Sequence, residues 1–107
     1  MHDLSERDAS SPPAGPHEVV ARRLTVAGRV QGVWFRRSLQ DQAQRLEVVG
    51  WVRNRVDGTV EAWLEGAWSD VDRVIGWVRA GGPSAAVVDT VDVAERDPVG
   101  HRDFSVR

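Results

Sequence analysis

Residues 28–37, GRVQGVWFRR, combine residue types that can bind an anion. A short apolar run precedes them and an amphipathic pattern follows, which predicts a strand, a glycine-containing loop and a helix. At such a junction successive backbone N–H groups can turn inward, and the helix N-terminus adds partial positive charge. Arg36 falls in the first turn of the predicted helix, where a cation opposes the helix dipole unless an anion lies between them. Its guanidinium suits a phosphate group, so the segment favours an oxyanion site.

A plainer interpretation of this loop stays open on the residues alone. The segment matches neither the Walker A loop nor the G-x-G-x-x-G fingerprint. A simple strand–helix turn with a surface arginine fits about equally well. Arg37 is expected to face solvent in either case.

Length and composition favour a single compact domain behind a tail. Residues 1–20 are rich in Ser, Pro, Ala and charge and lack apolar periodicity, so we expect a flexible tail there. Residues 21–107 suffice for one core. The sequence has no signal-peptide h-region and no stretch near the ~20 apolar residues of a membrane span. We expect a soluble, cytoplasmic protein that does not bind membranes.

Charge and residue usage argue against several classes of function. The formal net charge is −2, which does not indicate binding to nucleic acid. The absence of cysteine excludes disulfides, thiol catalysis and cysteine metal sites. The three histidines are scattered along the sequence, so we expect neither a metal nor another cofactor.

Apolar spacing predicts two helices that flank a hairpin. Leu24 and Val26 share one face of the first strand, and helical spacing covers residues 35–46. Ser69 with Asp72 resembles a capping box at the start of the second helix. The GGP that follows this helix is typical of a helix end.

The central segment, VVGWVRNRVDGTVEAWLEG, predicts a hairpin whose three-residue loop contains the Asp-Gly pair. That register places Trp51 opposite Trp63 and Arg53 opposite Glu61, which favours it over a one-residue slip. Asn54 then lies at the end of the apolar face.

The order of elements predicts the fold class. A further strand covers residues 85–95, where Val88 and Val91 have opposite parity, so a bulge separates them or one points outward. A short strand over FSVR ends the chain. The order βαββαβ, with a short final strand, predicts an α+β, ferredoxin-like sandwich with two helices on one face of a mainly antiparallel sheet.

Four motifs together resemble those of acylphosphatases: GRVQGVWFR, GWVRN, DGTVEAWLEG and GGPSA, in this order and spacing. The resemblance covers nearly all of residues 22–107 and implies the same ferredoxin-like fold. It implies hydrolysis, without a cofactor, of the carboxyl–phosphate bond of a small acyl phosphate, the expected partner. We expect a monomer, although the residues do not fix the oligomeric state. Which acyl phosphate is the substrate does not follow from the residues.

The resemblance also implies a role for each site residue. Arg36 would bind the phosphate group and Asn54 would orient the attacking water. Without the family pattern, a residue that caps the strand end is the favoured interpretation of Asn54. Backbone amides of the loop would cradle the phosphoryl group, and besides that of Arg36 they belong to Val30, Gln31, Gly32, Val33, Trp34 and Phe35.

Two positions depart from the family pattern. Trp34 stands where relatives commonly have Gly, Cys or Phe, and its indole is expected to crowd or flank the substrate entrance. Glu47 stands where relatives usually have Gly, which predicts a strained left-handed residue after the first helix.

Two rival functions have their own sequence features. A non-catalytic anion-binding module would resemble the first domain of larger carbamoyl-transferring proteins, but those carry cysteine-rich zinc motifs. An RNA-binding sheet would display Trp51, Trp63 and Arg53 together. Glu61 and Glu65, expected to be solvated, and the negative net charge argue against it.

Overall fold

A computed structural model describes residues 15–107 and places two helices on one face of a five-stranded sheet. Most of the predicted tail, residues 1–14, lies outside the described residues. In chain order the elements are β1 (Val19–Arg29), α1 (Phe35–Arg45), β2 (Val49–Asn54), β3 (Val60–Ala67), α2 (Trp68–Arg79), β4 (Val87–Arg96) and β5 (Phe104–Val106).

The sheet topology confirms the predicted α+β, ferredoxin-like class. The strands are ordered β4-β1-β3-β2-β5, and only β5 runs parallel to its neighbour, β2. β1 begins at Val19, two residues before the boundary predicted for the compact domain. Within the described residues no helix is long and apolar enough to cross a membrane.

The hydrophobic core lies between the helices and the inner face of the sheet. The apolar stripe predicted for the first helix is buried at Phe35, Leu39 and Ala43. Its sheet partners include Leu24 and Val52, which are fully buried. Each such side chain contributes roughly 1.5–3 kcal/mol by leaving water, so this face fixes where α1 begins and therefore where the preceding loop lies.

The hairpin has the predicted register. Trp51 lies opposite Trp63, and Arg53 lies opposite Glu61. The N–H of Arg55 donates to the carbonyl oxygen of Thr59 at 2.9 Å and so closes a three-residue loop. Within that loop Gly58 has φ 92°, a conformation that L-residues rarely adopt. This register leaves Asn54 at the end of β2, next to the loop that precedes α1.

Of the two alternatives for β4, the structure has the bulge. The pairing steps from Ala27 opposite Thr90 to Gly28 opposite Val88, and it leaves Asp89 without a partner across the ladder. Gly28 allows this close approach, since a Cβ there would lie 2.2 Å from the carbonyl oxygen of Val87. The extra residue places Val88 and Val91 both against the core.

The predicted capping box at the second helix is wrong. α2 begins at Trp68, directly after β3, and Ala67 at its N-cap makes no side-chain hydrogen bond. Carbonyl oxygens of the segment before β1 accept hydrogen bonds from the first N–H groups of the helix instead. The N–H of Trp68 donates to the carbonyl oxygen of Glu18 at 2.9 Å, and that of Ser69 donates to Pro16 at 3.1 Å. The pairing of Val19 with Ala67 brings this segment to the helix start.

The expectation that Glu61 and Glu65 are solvated is also wrong, because each is only 3% exposed. Oε2 of Glu61 accepts from Nε of Arg23 at 2.5 Å, and Oε1 lies 2.6 Å from Nη2 of Arg53. These arginines cover the carboxylate from neighbouring strands.

Glu65 binds the connection between β4 and β5. Its carboxylate accepts from Nε1 of Trp63 at 2.9 Å and from the N–H groups of Val99 at 3.1 Å and Gly100 at 2.7 Å. Burial by itself raises the pKa of Glu65, but these hydrogen bonds outweigh it and leave the pKa below its ordinary value of 4.5. The same balance, with Arg23 and Arg53 as donors, lowers the pKa of Glu61.

Replacing Glu65 by glutamine is expected to reduce the free energy of unfolding by about 1–3 kcal/mol at pH 7, because a neutral amide replaces a hydrogen-bonded carboxylate. A carboxylate with a lowered folded-state pKa stabilises above the unfolded pKa, and that contribution is lost as pH falls through the folded pKa. The difference in the free energy of unfolding between the variant and wild type should therefore shrink below pH 4.5. Urea unfolding across pH 7 to 3 measures it. Glu95→Gln, at an exposed residue of β4, is the control. A difference independent of pH would contradict this role for the carboxylate.

Glu47→Gly is expected to raise the melting temperature. Glu47 has φ 58°, which confirms the predicted left-handed residue after α1, and its side chain is exposed. Relief of about 1 kcal/mol of strain corresponds to roughly 4–8 °C in a domain of this size, less the entropy that glycine adds to the unfolded chain. Calorimetry measures the shift. Glu47→Ala retains the Cβ and should show no comparable gain; a glycine variant that melts no higher than wild type would refute the argument.

Candidate active site

The loop between β1 and α1 turns its backbone through two left-handed residues. Gly32 has φ 73°, and Trp34, the N-cap of α1, has φ 63° and ψ 18°. The carbonyl of Trp34 accepts the first helical bond, from Ser38 at 2.9 Å. Glycine adopts this conformation freely, whereas a bulky residue such as Trp34 is strained by roughly 1–2 kcal/mol.

The N–H groups of this loop are available to a ligand. From residue 31 to residue 37, none donates to an acceptor within residues 15–107. The last of these groups belong to the first turn of α1, whose N–H groups have no intrahelical acceptor. Together with the helix dipole they form a concentration of partial positive charge.

Gln31 ties the loop to the hairpin. Its Nε2 donates to the carbonyl oxygens of Arg55 at 2.8 Å and Thr59 at 2.9 Å, the two residues that close the β2–β3 turn. The side chain therefore has a structural function, while its backbone N–H stays with the loop. This bridge fixes the distance between the loop and the end of β2.

Arg36 lies in the first turn of α1 and is positioned by the end of the chain. Its Nη1 donates to the backbone oxygen of Arg107 at 2.6 Å. No Asp or Glu side chain within residues 15–107 forms a salt bridge with it. The guanidinium thus keeps its other donors for a ligand.

Asn54 and Arg36 line one cavity of about 440 Å³. The carboxamide of Asn54 is exposed and forms no hydrogen bond with any residue from 15 to 107, so both its donors and its acceptor are free. The cavity lining consists of Val30, Gly32, Trp34, Phe35, Arg36, Arg37, Asn54 and Val106.

Most of the residues proposed from the sequence meet at this cavity, and two do not line it. The side chain of Gln31 is directed to the hairpin, and Val33 packs against the hydrophobic core. Their proposed contribution through the backbone N–H does not depend on the side chain.

Two lining residues were not proposed from the sequence. Arg37 is exposed, as expected, and nevertheless borders the cavity. Val106 reaches it because β5 pairs in parallel with β2, so that Val106 lies opposite Val52. No local signal in the sequence gives this pairing, since it joins segments more than fifty residues apart.

This arrangement suits a phosphoryl group better than a metal. Amide N–H groups, a helix N-terminus and a guanidinium are all donors, which an anion requires. Among the described residues no group of three or more His, Cys, Asp or Glu is placed to hold a metal ion.

Comparison with known proteins gives a consistent result. The family model described as Acylphosphatase matches residues 22–106. The acylphosphatase of Anaeromyxobacter dehalogenans is 52% identical over 81 residues, which are 76% of this chain and 86% of that protein.

Solved structures resemble the chain as well. An acylphosphatase from Coxiella burnetii superposes with a TM-score of 0.79 at 35% identity, and the match covers 83% of this chain and 93% of that one. Full-length HypF in a phosphate- and nucleotide-bound form matches with a TM-score of 0.77 at 27% identity, over 85% of this chain but 12% of HypF. The match to the family model and the extent of these similarities show that the chain belongs to the acylphosphatase family, the enzymes that hydrolyse acyl phosphates.

Proposed function

We propose that this enzyme hydrolyses small acyl phosphates at the loop before α1, with the phosphoryl group held by the loop amides and Arg36 and the water oriented by Asn54. The observation that supports this assignment is the shared cavity of about 440 Å³. A row of N–H groups, a guanidinium without an Asp or Glu partner among residues 15–107 and a carboxamide without a hydrogen bond to those residues meet there. The charge and hydrogen-bonding groups of this cavity suit a phosphoryl group and an attacking water.

Phosphate binding rests on the amides of residues 30–36 and on Arg36. The amides donate to the phosphoryl oxygens, and the guanidinium adds charge-assisted bonds in a fixed fork. Because Arg107 accepts one N–H of Arg36, the guanidinium is oriented before substrate arrives, which reduces the entropy lost on binding.

The leaving group explains why no acid is needed. A carboxylate leaves from an acyl phosphate, and its conjugate acid has a pKa of about 4–5, comparable with Asp and Glu. None of the residues that line the cavity in the described chain has a carboxylate or imidazole side chain. Stabilisation of charge on the phosphoryl oxygens and alignment of the water then supply the catalysis.

The proposed reaction is one displacement at phosphorus. The water oxygen forms a bond to phosphorus as the bond from phosphorus to the acyl oxygen breaks, and that bonding pair leaves with the carboxylate. A proton of the water passes to a phosphoryl oxygen. The carboxamide of Asn54 holds the water in line with the leaving oxygen, for which it has both a donor and an acceptor free.

The proposal also includes the oligomeric state and the cellular location of the enzyme. One chain supplies the loop, the arginine and the asparagine, so a monomer suffices. We place it in the cytoplasm, with a small-molecule substrate.

The similarity to part of HypF favours one alternative, a module that binds an anion without hydrolysing it. The absence of cysteine argues against a role like that of the larger zinc-containing proteins. An RNA-binding sheet is disfavoured because Arg23 and Arg53 are paired with the buried Glu61. Turnover separates these possibilities, since a binding module retains phosphate affinity and releases no product.

Arg36→Ala is expected to lower kcat/KM for benzoyl phosphate by about 10²–10³-fold, the usual effect of removing an oxyanion donor, and to weaken competitive inhibition by inorganic phosphate at least about tenfold. Phosphate release from benzoyl phosphate gives both values. Arg45→Ala removes an arginine from the other end of α1, outside the cavity, and should retain wild-type values. If the Arg36 and Arg45 variants behave alike, Arg36 does not bind the substrate.

Asn54→Ala is expected to separate turnover from binding. Loss of the oriented water should lower kcat by roughly 10²-fold, whereas the inhibition constant for phosphate should stay within about threefold of wild type. Steady-state kinetics with inorganic phosphate as inhibitor measures both, and a melting curve checks the fold. A kcat equal to that of wild type would remove the assignment; a parallel loss of phosphate affinity would make Asn54 a phosphate ligand instead.

A further inference from the structure

Neither the backbone conformation at residue 34 nor packing in the hydrophobic core accounts for a tryptophan at this position. Its φ of 63° favours glycine, and its side chain is 77% exposed. Within the described residues its indole takes part in no aromatic pair and no hydrogen bond. The tryptophan therefore contributes strain and an exposed apolar surface to the free protein.

The exposed surface lies at the cavity that holds Arg36 and Asn54. The lining has four apolar side chains, but Val30 and Phe35 are each 1% exposed and belong to the core. Trp34, at 77%, and Val106, at 39%, present the accessible apolar surface. The cavity thus has a polar part, suited to a phosphoryl group, and an apolar part dominated by one indole.

A substrate of the proposed reaction has the same two parts. Its phosphoryl group requires N–H donors, and its acyl group extends beyond them and can present an apolar surface. In a displacement at phosphorus the water and the leaving acyl oxygen lie on opposite sides. Asn54 ends β2, whereas Trp34 belongs to the loop, so the two side chains reach the cavity from different elements.

We propose that the indole of Trp34 is the contact surface for the acyl group and gives the enzyme a preference for acyl phosphates with an aromatic or extended apolar acyl group. The inference rests on the proposed function. A flat aromatic group stacks on an indole in an offset or edge-on arrangement, while an acetyl group is too small to cover it. The exposed surface of Trp34 is then buried by the substrate itself.

This contact affects binding more than chemistry. The acyl group touches the indole in the bound substrate and in the transition state alike, and such uniform binding lowers KM without raising kcat. Removal of the indole should therefore raise KM for aromatic substrates. General changes in the phosphate cradle, such as added flexibility of the loop, should act on every acyl phosphate equally.

The test compares benzoyl phosphate with acetyl phosphate, by phosphate release, in wild type, Trp34→Gly and Trp34→Phe. The ratio of kcat/KM for benzoyl over acetyl phosphate should fall roughly tenfold in the glycine variant, through KM. The phenylalanine variant retains an aromatic face and should keep the ratio within about threefold of wild type. Because the ratio compares two substrates of the same protein, a loss of activity that affects both substrates equally cancels in the ratio. An unchanged ratio in Trp34→Gly would show that residue 34 acts only through its backbone, and it would overturn the inference while the proposed function stands.

A binding measurement separates this inference from the proposed function. Calorimetric titration of the same proteins with benzylphosphonate and methylphosphonate, which cannot be hydrolysed at an acyl bond, should show the same fall of about tenfold in the ratio of affinities. Should wild type hydrolyse neither acyl phosphate, the proposed function fails, and the phosphonate ratio still decides the role of Trp34. Equal ratios in wild type and Trp34→Gly would refute it.

Discussion

The backbone N–H groups of the loop before α1 have no acceptor within the described residues. The rest of the site depends on these donors remaining available to a ligand. Two features hold the loop in this geometry. Gly32 and Trp34 have left-handed conformations, and the side chain of Gln31 donates to the hairpin turn. The result is a loop whose geometry is complete before any anion arrives, which is the condition for electrostatic stabilisation of a transition state.

Stabilising contacts on the opposite face of the sheet reach the same site. Glu65 holds the β4–β5 connection through the N–H groups of Val99 and Gly100. That connection leads into β5, which pairs with β2 and ends beside Arg107, the residue whose backbone oxygen accepts from Arg36. A buried carboxylate remote from the cavity is therefore linked, through one short strand, to the position of the guanidinium that we propose binds phosphate. The link is one of packing and hydrogen bonds along a continuous segment.

Features determined by neighbouring residues could be predicted from the sequence, and features determined by distant segments could not. The hairpin register followed from charge and aromatic pairing across a short loop, and the left-handed Glu47 followed from the family pattern. Parity reduced β4 to two alternatives, a bulge or an outward-pointing valine, and the structure has the bulge. The environment of Glu65 depends on a segment about thirty-five residues away that crosses the sheet. The start of α2 likewise depends on carbonyls of Pro16 and Glu18, which only the pairing of β1 with β3 brings near. Local periodicity carries no information on the environment of Glu65 or on the start of α2.

The placement of the acidic residues explains how a chain of net charge −2 can hold an anion. Glu61 is bound to Arg23 and Arg53, and a carboxylate so close to two guanidinium groups cancels much of their field. Arg36 has a backbone oxygen as its partner instead, and no Asp or Glu side chain among residues 15–107 forms a salt bridge with it. No side-chain carboxylate lines the cavity in the described part of the chain, so the positive potential of the guanidinium and the amides remains available to a phosphoryl group. Arg23 and Arg53 are thus paired with a buried side-chain carboxylate, whereas Arg36, the proposed catalytic arginine, lines the cavity.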